Sequence, residues 1–208
     1  MRLVLTLIAL AVCLVSSGLL FGGTACTCRL RTRTILAFAG VAVAAYTAVL
    51  VVRPQESVLS NTSALLVALF LGSLLGSLVK SPAALISFCI AAAIADVVSF
   101  EVGVTAKLIQ AYHSNASNVF QYLCLSVPVH GHQWPVVGIG DLLVLTVIFF
   151  TLHCLGHRSA VAFAAPVTGL LLAVVIGMLV GGIFAIPFVV ATTVTYLWFV
   201  SAHGKVDA

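Results

Sequence analysis

The chain has 208 residues, of which 62% are hydrophobic and 7% are charged, and its mean hydropathy is +1.28. A soluble domain of this size needs far more polar cover, so the composition excludes a soluble globular protein and indicates an integral membrane protein. The net charge of +4 is spread over segment ends, which excludes a clustered nucleic-acid-binding surface. We therefore expect a lipid bilayer around the chain and no nucleic-acid partner.

Seven apolar runs are long enough to cross a bilayer, and they predict an all-α polytopic membrane protein with about seven transmembrane helices. The first run follows Met1 and Arg2 as a signal peptide does, but its length favours a span that is not cleaved. Gly181–Gly182 is the weakest break between runs. The runs cover roughly residues 3–22, 35–52, 62–79, 82–101, 135–155, 160–181 and 183–202.

Small residues four apart mark one face of the third run. Gly72 and Gly76 form one such pair, and Ser73 and Ser77 form the other. Small side chains allow two membrane helices to approach closely. This pattern predicts a tight helix–helix contact and no chemistry.

The connection 102–134 is unusually long for a loop between two spans, and such loops are often functional. Leu108, Ile109 and Tyr112 share a helical face, which predicts a short helix at the membrane interface. Residues 119–129 suit either a strand or a second interfacial segment. The chain is thus predicted to have an N-terminal three-helix region, 1–81, and a four-helix region, 82–208, that includes this loop.

Lysine and arginine counts favour an orientation with the long loop on the outer side of the membrane. Alternate connections put six such residues on one side and three on the other. The glycosylation triplets that begin at Asn61 and Asn115 fall on the predicted outer side. The inner set is Arg29, Arg31, Arg33, Lys80, Arg158 and Lys205, and the outer set is Arg2, Arg53 and Lys107.

Two of the five acidic residues, Asp96 and Asp141, lie inside apolar runs. A carboxylate in a membrane is costly, so each is by default a functional hypothesis. Asp96 lies five residues before Glu101, and Asp141 lies six residues after Pro135. At 1.5 Å per residue, both acids are expected roughly 7–9 Å below the same membrane face. Acids at matched depth on successive antiparallel helices can meet.

Two carboxylates that meet in a low-dielectric site share one proton, as in aspartic proteases. The ionised acid takes a proton from the water that attacks a peptide carbonyl, and the protonated acid donates a hydrogen bond to the oxyanion. This chemistry requires no metal and no organic cofactor. Gly138 and Gly140 have no side chains, so we expect a substrate backbone to approach Asp141 closely.

Three short motifs resemble those of the GxGD intramembrane aspartyl proteases, which include presenilin, signal peptide peptidase and their microbial homologues. Gly138–Asp141 reads Gly-Ile-Gly-Asp and matches the motif that gives the family its name. The first catalytic aspartate of the family usually follows a tyrosine, and here Asp96 follows Ala95. The family's Pro-Ala-Leu motif falls at Pro187–Val189, where only the proline is shared. The resemblance covers about residues 82–202 and implies a reduced, microbial-type member with a presenilin-like core in the last four spans.

The resemblance implies an intramembrane aspartic endopeptidase that cuts peptide bonds within transmembrane segments of membrane proteins or within signal peptides. Asp96 and Asp141 would be its catalytic residues, and it would need no metal or other cofactor. An extended substrate strand is expected to pair with the backbone near Gly138 and near 187–189. The oligomeric state stays open. The residues implied for substrate contact are Gly138, Gly140, Pro187, Phe188 and Val189.

Three other readings stay open from the sequence. The first is a structural or assembly subunit without chemistry of its own, which leaves the two acids at matched depth without a role. The prepilin and preflagellin peptidases also use two aspartates, but the lysine that typically follows their GxGD is replaced here by Leu142–Leu145. A proton- or cation-coupled transporter also uses paired membrane acids. Its polar path would include Thr146, Thr151, His153, Thr168 and Thr192.

Overall fold

The computed structural model describes residues 2–52, 57–114, 119–129, 132–157, 160–180 and 185–203. Over these residues the chain is mostly helical, with one antiparallel β-hairpin. Five helices are long and apolar enough to cross a membrane, and two further apolar helices are shorter. The described residues do not include Met1, Arg53, Asn115, Arg158, the Gly181–Gly182 break or Lys205.

The elements follow the apolar runs closely, apart from the long connection and the run after it. The helices are α1 Arg2–Thr27, α2 Thr32–Val52, α3 Ser57–Gly76, α4 Pro82–Glu101, α5 Val104–His113, α6 Val119–Tyr122, α7 Ile139–Cys154, α8 Ala160–Val180 and α9 Ile186–His203. The strands are β1 Cys124–Val129 and β2 His132–Gly138. The short helix predicted at the start of the connection is confirmed as α5. The strand alternative for 119–129 is confirmed for 124–129 only, because 119–122 form α6.

The predicted start of the fifth span, at Pro135, is wrong. Residues 135–138 belong to β2, and the helix begins at Ile139. Proline fixes φ and lacks an N–H, and the two β-branched valines after it favour an extended backbone. The all-α class therefore misses a hairpin that leads directly into Asp141.

Helix α7 lies at the centre of the bundle, where α1 and α3 pack against it. The buried core joins side chains of the N-terminal helices, such as Cys13, Leu20 and Ala68, to Leu145 of α7 and Leu170 of α8. The core thus contains side chains from both predicted regions, 1–81 and 82–208. The N-terminal helices support α7.

The close contact predicted for the third run is confirmed, and its partner is α7. A Cβ atom on Gly72 would lie 2.6 Å from the Thr146 Cβ, and one on Gly76 would lie 2.9 Å from the Phe150 Cδ1. Such distances leave no room for a side chain on either glycine. A polar contact joins α7 to its other neighbour, α1, since the Thr24 hydroxyl lies 3.2 Å from the His153 Nδ1.

Candidate functional site

Asp141 stands where β2 turns into α7. Gly138 caps the helix in an extended conformation, and its N–H donates to the Asp141 Oδ2 at 3.2 Å. An acid in the first turn also suits the positive end of the helix dipole. Asp141 is partly exposed, and the bond from Gly138 holds its carboxylate in place.

Asp96 stands five residues before the end of α4, and its partner comes from another helix. The Asp96 Oδ2 accepts a hydrogen bond of 3.2 Å from the N–H of Ile186, the first residue of α9. Unpaired N–H groups at a helix start favour a negative partner. Asp96 thus ties α4 to the segment that contains Pro187, and like Asp141 it is partly exposed.

The two carboxylates belong to one electrostatic site. Asp96 is close enough to Asp141 for its charge to act on that carboxylate directly. The backbones of α4, α7 and α9 meet around the pair. Three segments far apart in the sequence therefore converge, around residues 96, 138–141 and 185–187. They do so although α7 begins at Ile139 and not at Pro135, from which the depth of Asp141 was predicted.

The two glycines of the motif differ in their surroundings. A Cβ on Gly140 would meet no atom within 4 Å, so the space beside this residue is open. A Cβ on Gly138 would lie 3.1 Å from the Asp141 Oδ2. Gly140 is consistent with the expected clearance for a substrate backbone. The space at Gly138 is taken by the carboxylate itself.

The segment Pro187–Val189 forms the first turn of α9, where proline is tolerated. The N–H groups of Phe188 and Val189 both donate to the Ala185 carbonyl, at 3.1 and 3.3 Å. Val189 is 3% exposed and packs in the core. The segment is therefore helical with occupied donors, and it does not match the expectation of an extended edge for substrate pairing.

Two buried thiols flank Asp141 and were not singled out from the sequence. Cys13 comes from α1 and Cys124 from β1, and the Asp141 charge acts on both. Burial, reinforced by that negative charge, raises the pKa of the Cys124 thiol to about 12. A metal-free thiol with such a pKa is neutral near pH 7 and therefore a poor nucleophile there. Among the described side chains, no group of three or more His, Cys, Asp or Glu residues could hold a metal ion.

The polar residues considered for a transport path fall in two separate places. Thr146, Thr151 and His153 are buried within α7. Thr168 and Thr192 border an apolar groove between α8 and α9 and donate to carbonyls of their own helices. These five side chains do not form a continuous line from the acids.

Comparison with known proteins adds no relative. The chain matches no protein-family model, no curated protein and no solved structure.

Proposed function

We propose that the protein is an intramembrane aspartic endopeptidase of the GxGD type, with Asp96 and Asp141 as its catalytic pair. One observation carries this proposal. Two of the few acids of the chain, both on apolar helices, are close enough for the charge of Asp96 to act on Asp141, and each accepts a backbone N–H at the start of α7 or α9. The Gly-Ile-Gly-Asp motif and the proline of the third motif lie at the same two helix starts.

The pair acts on a peptide bond through a shared proton. The ionised carboxylate takes a proton from a water molecule while the water oxygen bonds to the carbonyl carbon. The protonated carboxyl donates a hydrogen bond to the oxygen that gains the electron pair of the carbonyl π bond. The intermediate then collapses, the C–N bond breaks, and a carboxyl proton passes to the leaving amine. No step requires a cofactor.

Seven alternating crossings, with the core in the last four, agree with the helix directions. Gly72 and Gly76 of α3 meet Thr146 and Phe150 of α7 in the same order along both helices, so α3 and α7 run parallel. Between α8 and α9 the order is reversed, since Gly169 meets Phe188 while His157, three residues before α8, meets Tyr196. Successive crossings of a seven-helix protein require both relations.

The short length of α7 supports an active site below the membrane surface. Its 16 residues span about 24 Å, whereas the hydrocarbon core is about 30 Å thick. A helix that ends at the far face would begin about 6 Å inside the near face. Non-helical backbone at that depth must be covered by protein, and the hairpin fits this, because Leu125 and Val137 are 2% and 5% exposed.

The substrate proposed is a membrane-spanning peptide segment or a signal peptide, opened to an extended form at the cleaved bond. The open space at Gly140 is where its backbone would reach Asp141. The site would lie toward the face that carries the 102–134 loop, which we place on the outer side.

Cleavage of a single-span helical substrate by the purified full-length protein in detergent tests this function. We expect Asp96→Asn and Asp141→Asn each to lower cleavage at least about 1000-fold. Glu101→Gln is the control, because it neutralises an exposed acid at the end of the same helix, α4, and cleavage should stay at the wild-type rate. Undiminished cleavage by either aspartate variant, with folding intact, would contradict the proposal. A folded wild-type protein that moves protons or cations across vesicles and cuts nothing would favour the transporter.

A further inference from the structure

The side chain of Asn61, in α3, closes the outer edge of strand β1. Its Nδ2 donates to the Ser126 carbonyl oxygen at 2.7 Å, and its Oδ1 accepts from the Ser126 N–H at 2.9 Å. This amide occupies the place that a residue of a further strand would take. Ser126 is 6% exposed, so its two backbone groups depend on Asn61 for their partners.

On the side of Pro128, the outer edge of β1 offers no further N–H donor beyond this contact. Alternate residues of an antiparallel strand turn their N–H and C=O groups to the same side. Since Ser126 gives both groups to Asn61, they face away from β2, and Pro128, two residues on, faces the same way without an N–H. Proline and capping side chains are the usual means of closing a sheet edge.

The contact with Asn61 lies opposite an irregularity that leads to the active site. Leu125 pairs with Val137 but Ser126 pairs with Pro135, so β2 holds one extra residue at this point. Beyond this bulge, β2 runs through Gly138, whose N–H donates to Asp141. We expect a shift of β1 at Ser126 to move β2, and with it Gly138 and the Asp141 carboxylate.

A second contact holds the start of the hairpin. The Tyr46 hydroxyl, in α2, donates to the Tyr122 carbonyl oxygen at the end of α6, two residues before β1. The hairpin is therefore held from both neighbouring helices of the N-terminal region, α2 and α3.

We propose that Asn61 is a positioning residue for the proposed peptidase. By closing β1 and fixing the register of the hairpin, it sets which bond of an extended substrate reaches Asp141. The inference rests on the proposed function, and it gives the N-terminal region, which the family motifs do not cover, a part in the reaction. It also assigns the Asn61 amide to the hairpin, because both of its polar atoms are engaged, and not to glycosylation.

Two measurements on the purified full-length protein test this role. The first is hydrogen exchange of the peptides that cover β1, which requires no activity. The second is the set of bonds cut in one single-span substrate, read by mass spectrometry. The variants are Asn61→Ala and Asn61→Asp, which keeps an acceptor for the Ser126 N–H but loses the donor. Thr62→Ala is the matched control, because Thr62 is exposed and bonds only its own helix through Val58.

We expect Asn61→Ala to speed exchange in β1 about tenfold or more and to move or broaden the cut positions by one or two residues. Asn61→Asp should have a smaller effect of the same kind, and Thr62→Ala should match wild type. Unchanged exchange in the folded Asn61 variants would overturn the pairing, and faster exchange with unchanged cut positions would overturn the positioning role. Absence of cleavage by folded wild-type protein overturns the proposed function and this role with it, while the exchange result still stands for the pairing.

Discussion

The two acids stand on helices that are packed very differently. In α7 every side chain from Val144 to His153 is buried. In α4 the buried side chains are Leu85 and Cys89, both in its first half. Ile94 and Val98, on either side of Asp96, are 60% and 53% exposed. One acid thus belongs to a helix enclosed by protein and the other to a helix at the edge of the bundle.

The way each carboxylate is held follows the same division. Asp141 accepts from Gly138, three residues away in its own element, so its position travels with α7. Asp96 accepts from Ile186 of α9, so its position depends on the contact between two helices. We infer that movements of α4 change the distance between the acids more than movements of α7 do. In the proposed peptidase, a substrate would reach the pair from the lightly packed side, where α4 lies.

The largest effect should follow from breaking the enclosure of α7. Gly72→Leu places a side chain where a Cβ already lies 2.6 Å from the Thr146 Cβ and 3.0 Å from the Leu143 oxygen. We expect a loss of about 3 kcal/mol in the free energy of unfolding. Gly40→Leu in α2 is the control, because a Cβ there meets nothing within 4 Å. Equal thermal stability of the two variants in detergent would show that α3 and α7 are not in close contact.

A smaller effect should separate the interiors of the two helices. Leu145→Ala removes a fully buried side chain of α7 and should lower the free energy of unfolding by about 2 kcal/mol. Ile94→Ala removes an exposed side chain of α4, and because lipid is as apolar as a leucine, we expect a change below about 0.5 kcal/mol. Denaturation in detergent measures both. Similar losses would remove the distinction between the helices.

The smallest effect on stability is expected at Gly140, in the first turn of α7. Gly140→Ala adds a methyl group to open space in the first helical turn, so the free energy of unfolding should change by less than about 1 kcal/mol. If substrate backbone passes there, kcat/KM for cleavage should fall about tenfold, mainly through KM. A variant with wild-type cleavage would move the substrate path away from Gly140.

Much of this arrangement is visible in the sequence, because apolar length and small-residue spacing are local signals. They predict the helices and the contact of Gly72 and Gly76 with a neighbouring helix. The scarcity of acids singles out Asp96 and Asp141, and the structure brings these two together. The role of the pair in catalysis stays a prediction.

The rest depends on contacts that no local pattern carries. The residues Pro135–Gly138 are apolar, and a short apolar run has the same appearance in a buried strand and in a helix. In the structure α1 and α3 pack against the hairpin. This tertiary contact, which no local pattern shows, accompanies the strand and not the helix. The bonds from Ile186 to Asp96 and from Asn61 to Ser126 join residues 90 and 65 positions apart. The glycosylation triplet at Asn61 did not indicate its bonds to the Ser126 backbone. The motif at Phe188–Val189 did not indicate that their N–H groups donate to Ala185.

The most direct test of the central claim is whether both acids bind one transition-state mimic. Calorimetry would measure the Kd of a peptide isostere with a hydroxyl group at the scissile position, for wild type, Asp96→Asn and Asp141→Asn, each first shown to be folded. Since such mimics gain their affinity from the groups that stabilise the transition state, we predict that each substitution weakens binding at least about 100-fold. Wild-type affinity in either variant would contradict a site made of both aspartates.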